Sequence, residues 1–468
     1  MNILLSSFVA RFNYSYKDRY IFTVTGRYDG SSLLSEGNQW KFFPSAAVAW
    51  NIDQEQFLKS ADFISKLRIR GSFGMTGNQN IAYGAPRMIM NQVRTANNGS
   101  SPTHGYVPGN PENPDLGWEN TKAYNLGLEM GFVKNRYRLN IDIYKRVTSD
   151  LLFNFPLPPS SGHGSIPVNM GQISNKGIEI EVGADIISRR KFSWSVGANW
   201  YMNRNMVDDI RNNVIEGVTY LSGGSALGQS IHRTMAGYPI GSFYGYVTNG
   251  IYQTPEEAAK APADTPAAVP GSIRYLDISG PDGLPDGKID SNDRTILGSS
   301  QPDFNYGIST DLKWKNLSLS ILINGSVGGK IANLNRYLLD AFDDKQTNVR
   351  REAWEGRWQG PGTSNFYPAL NGAYKDAFFQ SRFSTMFLED ATYIRLKNVT
   401  LSYAFALKKI PWIKRISVFV TGTNLLTFTD YSGYDPEVSI SRSALSPNVD
   451  YAAYPSVRTV SFGVNLEF

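Results

Sequence analysis

Apolar and polar residues alternate along this chain with a two-residue beat, and the final stretch shows it most clearly. From Arg458 onward Val460, Phe462, Val464, Leu466 and Phe468 alternate with Thr459, Ser461, Gly463, Asn465 and Glu467, so a strand here has one greasy face and one small or polar face. The beat recurs upstream, giving about thirteen strand segments in all. Residues 7–16 set Phe8, Ala10, Phe12, Tyr14 and Tyr16 against Ser7, Arg11, Asn13 and Ser15. After Lys17-Asp18, Tyr20, Phe22, Val24 and Tyr28 alternate with Thr23, Thr25, Arg27 and Asp29. Further strands are expected near 40–52 and 66–76, over 124–132 and 137–143, over 178–184 and 192–200, over 306–314 and 317–323, and near 390–406 and 414–428. The phase slips at Lys397-Asn398, which predicts a bulge.

Connector lengths separate the architectures such strands permit. Lys17-Asp18, residues 133–135, residues 188–191 and Lys315-Asn316 are tight turns, and 53–65 and 407–413 are modest. Long gaps fall near 31–39, 77–118, 150–174, 206–302, 331–388 and 430–454. Short turns at one end and long loops at the other are what a transmembrane β-barrel shows, with periplasmic turns and extracellular loops. Soluble sandwiches and propellers also alternate, but nothing in them forces a long connection at every second gap. The expected fold class is therefore all-β, an antiparallel transmembrane β-barrel. On the period-two reading Arg27, Asp29, Asn140, Asp142 and Asp311 face the lumen. Tyr14, Tyr20, Trp194 and Trp314 read as an interfacial girdle.

Composition agrees and narrows the classes. The 468 residues are 13% aromatic and include 43 Gly, which favours β structure over a helical enzyme. No apolar run reaches about eighteen residues, so a transmembrane helix is excluded. A formal charge of +5 is spread among interleaved acids and bases, and no nucleic-acid partner follows from it. The absence of Cys removes disulfides and thiolate chemistry. The opening MNILLSSFVARF has no basic n-region, and Arg11 interrupts its apolar stretch, so it does not read as a signal peptide. Strand parity places Met1 at the outer end of an odd set of strands, whereas single-chain bacterial barrels are even. The expectation is the C-terminal part of a longer protein, with 1–468 all barrel and no plug domain.

One loop carries candidate metal chemistry. YLDISGPDGLPDGKIDSNDRTILG occupies 275–298. Numbered as a calcium loop it puts Asp282 first, Asp286 fifth, Gly287 sixth, Lys288 seventh through its carbonyl, Asp290 ninth and Asp293 twelfth. Leu284 offers no side-chain oxygen at the third position, the twelfth is Asp rather than Glu, and Asp277 with Ser279 is an alternative start. The competing reading is a solvated acidic Gly/Pro turn. His104, His163 and His232 lie far apart in expected loops and read as surface residues. GGSALG at 223–228 lacks the GK[ST] of a phosphate loop, and Ser161 lacks the GxSxG context of a nucleophile. Asp208-Asp209 and Asp343-Asp344 read as solvated charge, and no enzyme site is evident. In the 331–388 loop, Leu334, Leu338 and Phe342 at helical spacing predict a short helix. Trp354, Trp358, Phe366 and Tyr367 there are expected to pack rather than to bind ligand.

The segments FFPSAAVAWNI (42–52), SKLRIRGSFGMTGNQNIAYG (65–84), NPDLGWENTKAYNLGLEMGF (113–132), YKRVTSDLLFNFPLPPSSG with VNMGQISNKGIEIEV (144–182) and GYPIGSFYGYVTNGIYQT (237–254) resemble the C-terminal half of the SusC/RagA family of TonB-linked outer-membrane transporters. The resemblance implies a barrel of about 22 strands around a plugged lumen, of which this chain supplies about the last thirteen. It also implies a DxNGDGxID-like loop where Asp277–Asp293 stands, admitting a structural Ca²⁺, with no other cofactor required. It implies residence in the cell outer membrane in contact with lipid, import of oligomeric nutrients (glycans or peptides), a SusD-like surface lipoprotein as lid, and coupling to the TonB system through the N-terminal part. The alternatives are a passive outer-membrane channel and a barrel-anchored surface adhesin.

Overall fold

The computed structural model describes residues 3–88, 90–95, 103–210, 219–223, 225–226, 229–264, 267–340, 348–370, 382–405 and 412–468. Thirteen antiparallel strands form one sheet whose order follows the chain. They are β1 (Leu5–Tyr16), β2 (Tyr20–Ser31), β3 (Trp40–Asn51), β4 (Ile64–Asn78), β5 (Glu119–Phe132), β6 (Tyr137–Pro156), β7 (Ser165–Arg189), β8 (Phe192–Asp209), β9 (Phe304–Trp314), β10 (Leu317–Val327), β11 (Tyr393–Phe405), β12 (Arg415–Thr429) and β13 (Thr459–Glu467). Among the described residues no helix is long and apolar enough to cross a membrane. Two compact units divide the chain. The first holds Met1–Ile186, Gly197–Thr219 and Met235–Gly237, and the second holds Ile187–Val196, Tyr220–Thr234 and Tyr238–Phe468.

In the first unit the register lines up like with like. Tyr14, Phe22, Val48, Gly71, Leu126, Ile143 and Ile178 form one cross-strand row. The next row, on the other face, is Asn13, Thr23, Ala47, Ser72, Asn125, Tyr144 and Gly177. Because the side-chain period is two, any one-residue slip would send a whole apolar set to the polar face. Phe8, Phe12, Val48, Leu126 and Ile143 on the greasy face are exposed, an arrangement that water would penalise and lipid favours. Aromatic pairs bracket this face. Tyr20–Trp50 (6.2 Å) and Phe63–Phe132 (6.4 Å) stack at the short-turn end, and Trp40 stacks on Tyr28 (5.1 Å) and Phe8 (6.1 Å) at the other. Tyr20 to Tyr28 spans about 26 Å along the strand, the scale of an outer-membrane apolar band of about 25 Å.

The strands of the second unit repeat the arrangement. Leu312, Leu319, Leu401, Val420 and Phe462 form a greasy row, and Asp311, Ser320, Thr400, Thr421 and Ser461 form its polar neighbour. Phe462 is 81% exposed. The bulge expected at Lys397-Asn398 is present, because Leu396 and Asn398 pair with β10 and β12 while Lys397 is left out of both ladders. Tight turns use left-handed backbone at Lys17, Asp18, Val133, Lys134, Asn135 and Lys315, which matches the twist of the flanking strands.

Segment 150–174, expected as a loop, is a correction. The β6–β7 ladder runs on to Pro156–Ser165 and leaves only 157–164 as connection. Asp150 and Gly171 both take positive φ where the ladder steps from Ser149–Gln172 to Leu151–Met170. Both strands therefore continue well past the nine to eleven residues, roughly, that a bilayer needs.

Candidate functional site

On the polar face of the first unit, strand alternation gathers an ionic cluster from three neighbouring strands. Arg70 Nη2 donates to both carboxylate oxygens of Asp142 (2.7 Å), its Nε to Glu129 Oε1 (3.1 Å) and its Nη1 to Asn125 Oδ1 (2.9 Å). Lys66 pairs with the other oxygen of Glu129. Gly127 makes the reach possible, since a Cβ there would stand 2.6 Å from the Arg70 Cζ. Beside this cluster a cleft of about 360 Å³ is lined by Asn140, Asp142, Glu179, Glu181, Asn199 and Tyr201, among others. Asn140 donates to Glu181 (3.1 Å), and Arg27 pairs with Asp29 (2.6 Å). In the second unit Asp311 stands opposite Ser320 on the polar face. All five positions expected to line the lumen thus fall on polar faces. Arg70, Asn125 and Glu129 were not singled out from sequence, although their alternation with Ile69, Tyr124, Leu126 and Leu128 carried the signal.

Within the second unit the long connections build a packed body. Ile231, Phe243, Ile273, Tyr275, Ala332, Leu334, Phe383, Met386, Phe387 and Val449 share one buried cluster. Tyr220–Ser222, His232–Met235, Ser242–Tyr246 and Arg294–Gly298 form a four-stranded sheet, and Lys330–Asn333 lies between Leu388–Asp390 and Val449–Asp450. The described parts of 220–234, 238–302, 331–388 and 430–454 therefore contribute to one core rather than to separate loops. Ion pairs pin it. Arg336 and Arg350 both hold Asp340, and Arg336 also reaches Glu389 (3.4 Å). Arg382 forms a bidentate pair with Asp264, and Arg395 holds Asp435 and Glu437. Tyr431 donates to Asp450 Oδ2 (2.6 Å). Burial first, and that carboxylate next, push its hydroxyl far above the ordinary tyrosine value.

His232, read from sequence as a surface residue, is a correction, because it is 1% exposed. Its ring lies 4.7 Å from that of Phe243, and Nε2–H donates to the Pro447 carbonyl (2.9 Å). Nδ1 has no partner. Burial pushes the imidazole down to about 4, against the carbonyl bond, which favours the protonated form. Unfolded, the ring titrates near its ordinary 6.5, so between these values the unfolded state binds more protons. Stability is complete above about pH 6.5 and falls by roughly 3 kcal/mol as pH drops to about 4. Thermal melts of wild type and His232→Gln across that range should diverge, with the variant flatter. Parallel curves would show that His232 does not govern this acid response.

The acidic loop is held by hydrogen bonds. Asp293 is fully buried. Its Oδ1 accepts from the N–H groups of Ile278 (2.8 Å) and Ser279 (3.2 Å), and its Oδ2 from Asp290 (2.8 Å). Asp277 accepts from Asp286 (3.3 Å) and Gly287 (2.7 Å), Asp286 from Lys288 (3.0 Å), and Asp290 from Asn292 (2.7 Å). Asp282, Leu284 and Lys288 are exposed. A calcium shell needs six to eight oxygens turned inward, roughly speaking. Among the described residues no three His, Cys, Asp or Glu are grouped to hold a metal. Asp277, Asp286, Asp290 and Asp293 thus face backbone amides, while Asp282 stands exposed.

Short helices occur at Asn335–Leu339 and Arg351–Gly356 within the expected helical loop, while Phe342, Asp343 and Asp344 lie outside the described residues. Trp358 donates to Gln253 (3.1 Å), and Phe366 packs edge-on against Tyr367. Trp354 is half exposed under the Arg357 guanidinium. Asp208 accepts from Ser174 (2.8 Å) and Gln172 (3.1 Å). Of GGSALG, Gly224, Leu227 and Gly228 lie outside the described residues.

The family profile "TonB dependent receptor-like, beta-barrel" matches residues 6–282. The chain is 34% identical to TonB-dependent receptor P3 of Formosa agariphila over 99% of its own length and 45% of that protein. It is 30% identical to TonB-dependent receptor SusC of Bacteroides thetaiotaomicron over 99% of its length and 44% of that protein. The solved structure of the RagAB peptide transporter superposes with a TM-score of 0.82 at 25% identity, covering 100% of this chain and 48% of that one. The chain thus spans about half the length of the relatives it matches. Its greasy and polar rows are those of an outer-membrane wall, and the chain belongs to the TonB-dependent receptor β-barrel family.

Proposed function

We propose that in the whole protein this wall and its loop body serve TonB-driven import of an oligomeric nutrient, a glycan or a peptide, across the outer membrane. A SusD-like surface lipoprotein closes over the long connections. The observation that carries this reading is the pair of faces: exposed apolar rows backed by polar rows, with the ionic cluster of Arg70, Glu129 and Asp142 on the polar side. The relative solved as a peptide transporter and the relative named SusC support it. Cells carrying the whole protein should take up labelled oligosaccharides or peptides saturably, and a protonophore should abolish that uptake. Uptake that persists without energy would support a passive channel instead. Surface binding without entry would support an adhesin.

A further inference from the structure

On the greasy face of the first unit, the apolar rows end in lysine. Along β6 the outward positions Tyr137, Leu139, Ile141 and Ile143 are followed by Lys145, and along β7 Ala184, Val182, Ile180 and Ile178 are followed by Lys176. Lys145 and Lys176 are direct cross-strand partners. Lys145 is also opposite Tyr124 on β5, two residues from Lys122 in the same outward phase. All three lysines are exposed, and none makes an ion pair among the described residues. The carboxylate on the neighbouring strand, Asp208, is taken up by Ser174 and Gln172.

Like charges set directly opposite one another destabilise a sheet, so a stable wall gains by placing an anion over them. Their height says which anion. Tyr137 to Lys145 covers about 26 Å along the strand, which puts the ammonium groups at the far edge of the apolar band beside Tyr124, whose ring lies tilted 5.1 Å from that of Phe73. That is the level of lipid headgroups on the long-loop side. We propose that Lys122, Lys145 and Lys176 form a binding site for the phosphate of an anionic lipid headgroup. Their stems continue the greasy surface and their charges meet the headgroup layer. This inference rests on the reading of the apolar face as lipid-covered.

The full-length protein, reconstituted in nanodiscs of phosphatidylcholine with a minority of phosphatidylglycerol, tests it by native mass spectrometry of the retained lipid. Each lysine lost should weaken phosphatidylglycerol retention roughly fivefold. The K122Q/K145Q/K176Q protein should therefore retain it on the order of a hundredfold less tightly, and K122R/K145R/K176R should keep it. Equal retention by wild type and the glutamine variant would overturn the proposal. So would displacement by millimolar inorganic phosphate with no preference for lipid, which would mark a free-anion site. Failure of wild type to enter pure phosphatidylcholine discs would strike the lipid reading of the apolar face and this inference with it.

Discussion

Arg395→Ala is expected to release the segment 430–454 from the strand below it, at a cost of about 3–5 kcal/mol. The side chain of Arg395 is only 2% exposed. Its Nη2 donates to Asp435 Oδ1 (2.7 Å), its Nη1 to Glu437 and its Nε to Thr427 Oγ1 (2.9 Å). Burial pushes the Asp435 carboxyl up. The Glu437 amide, the guanidinium and Ser456 outweigh burial and hold it below the ordinary carboxylate range. Removing the cation leaves that carboxylate buried with nothing to neutralise it, which is why the loss exceeds the worth of the pair itself. Amide hydrogen exchange over 430–454 should quicken on the order of a hundredfold or more. The bonds from Tyr431 to Asp450 and from Ser432 to Glu389 limit the opening. Replacing Arg395, Asp435 and Glu437 together by apolar residues should restore most of the protection. Unchanged exchange in Arg395→Ala would show that the segment is anchored elsewhere.

Phe243→Ala should loosen the loop body by a comparable amount, about 3–5 kcal/mol. The ring is 0% exposed and stands 4.7 Å from His232 and 6.2 Å from Phe383. It therefore joins the segment around 232–246 to the one around 383–387 inside a single core. A cavity of that size cannot fill from neighbours already packed. Limited proteolysis should then cut within 219–298 and 382–390 while the strand ladder stays protected, and Phe243→Leu should give a milder form of the same pattern. Identical cleavage of wild type and Phe243→Ala would mean that the body does not depend on this ring.

Much of the ladder was legible because each strand meets two different surroundings and records them residue by residue. Ile141 beside Asp142, or Leu401 beside Ser402, states the face of each position locally. Even the defect at Lys397 shows as a slip of phase. The β6–β7 extension was missed because Pro156, Pro158, Pro159, Gly162, Pro167 and Gly171 read as punctuation. The beat of Leu151, Phe153 and Phe155 against Met170, Val168 and Ile166 was the better signal. His232 could not be read at all, since its burial depends on Phe243 and on a carbonyl at Pro447, over two hundred positions away. The partners of Asp293 were illegible for a related reason. An acidic Gly turn has the same composition whether its carboxylates turn toward a cation or toward amides, and only the folded path aims them at Ile278, Ser279 and Asp290.

By itself the sequence determined that the strands are two-faced and that their connectors alternate in length, because period and spacing are local properties of the chain. Tertiary structure alone decided that the long connections of the second unit share one core, that Arg395 and His232 are buried within reach of distant partners, and that Lys145 and Lys176 stand opposite each other with Lys122 on the next strand. Those facts depend on register and on contacts between segments with no common rhythm, and nothing in a linear order of residues specifies which of many such contacts will form.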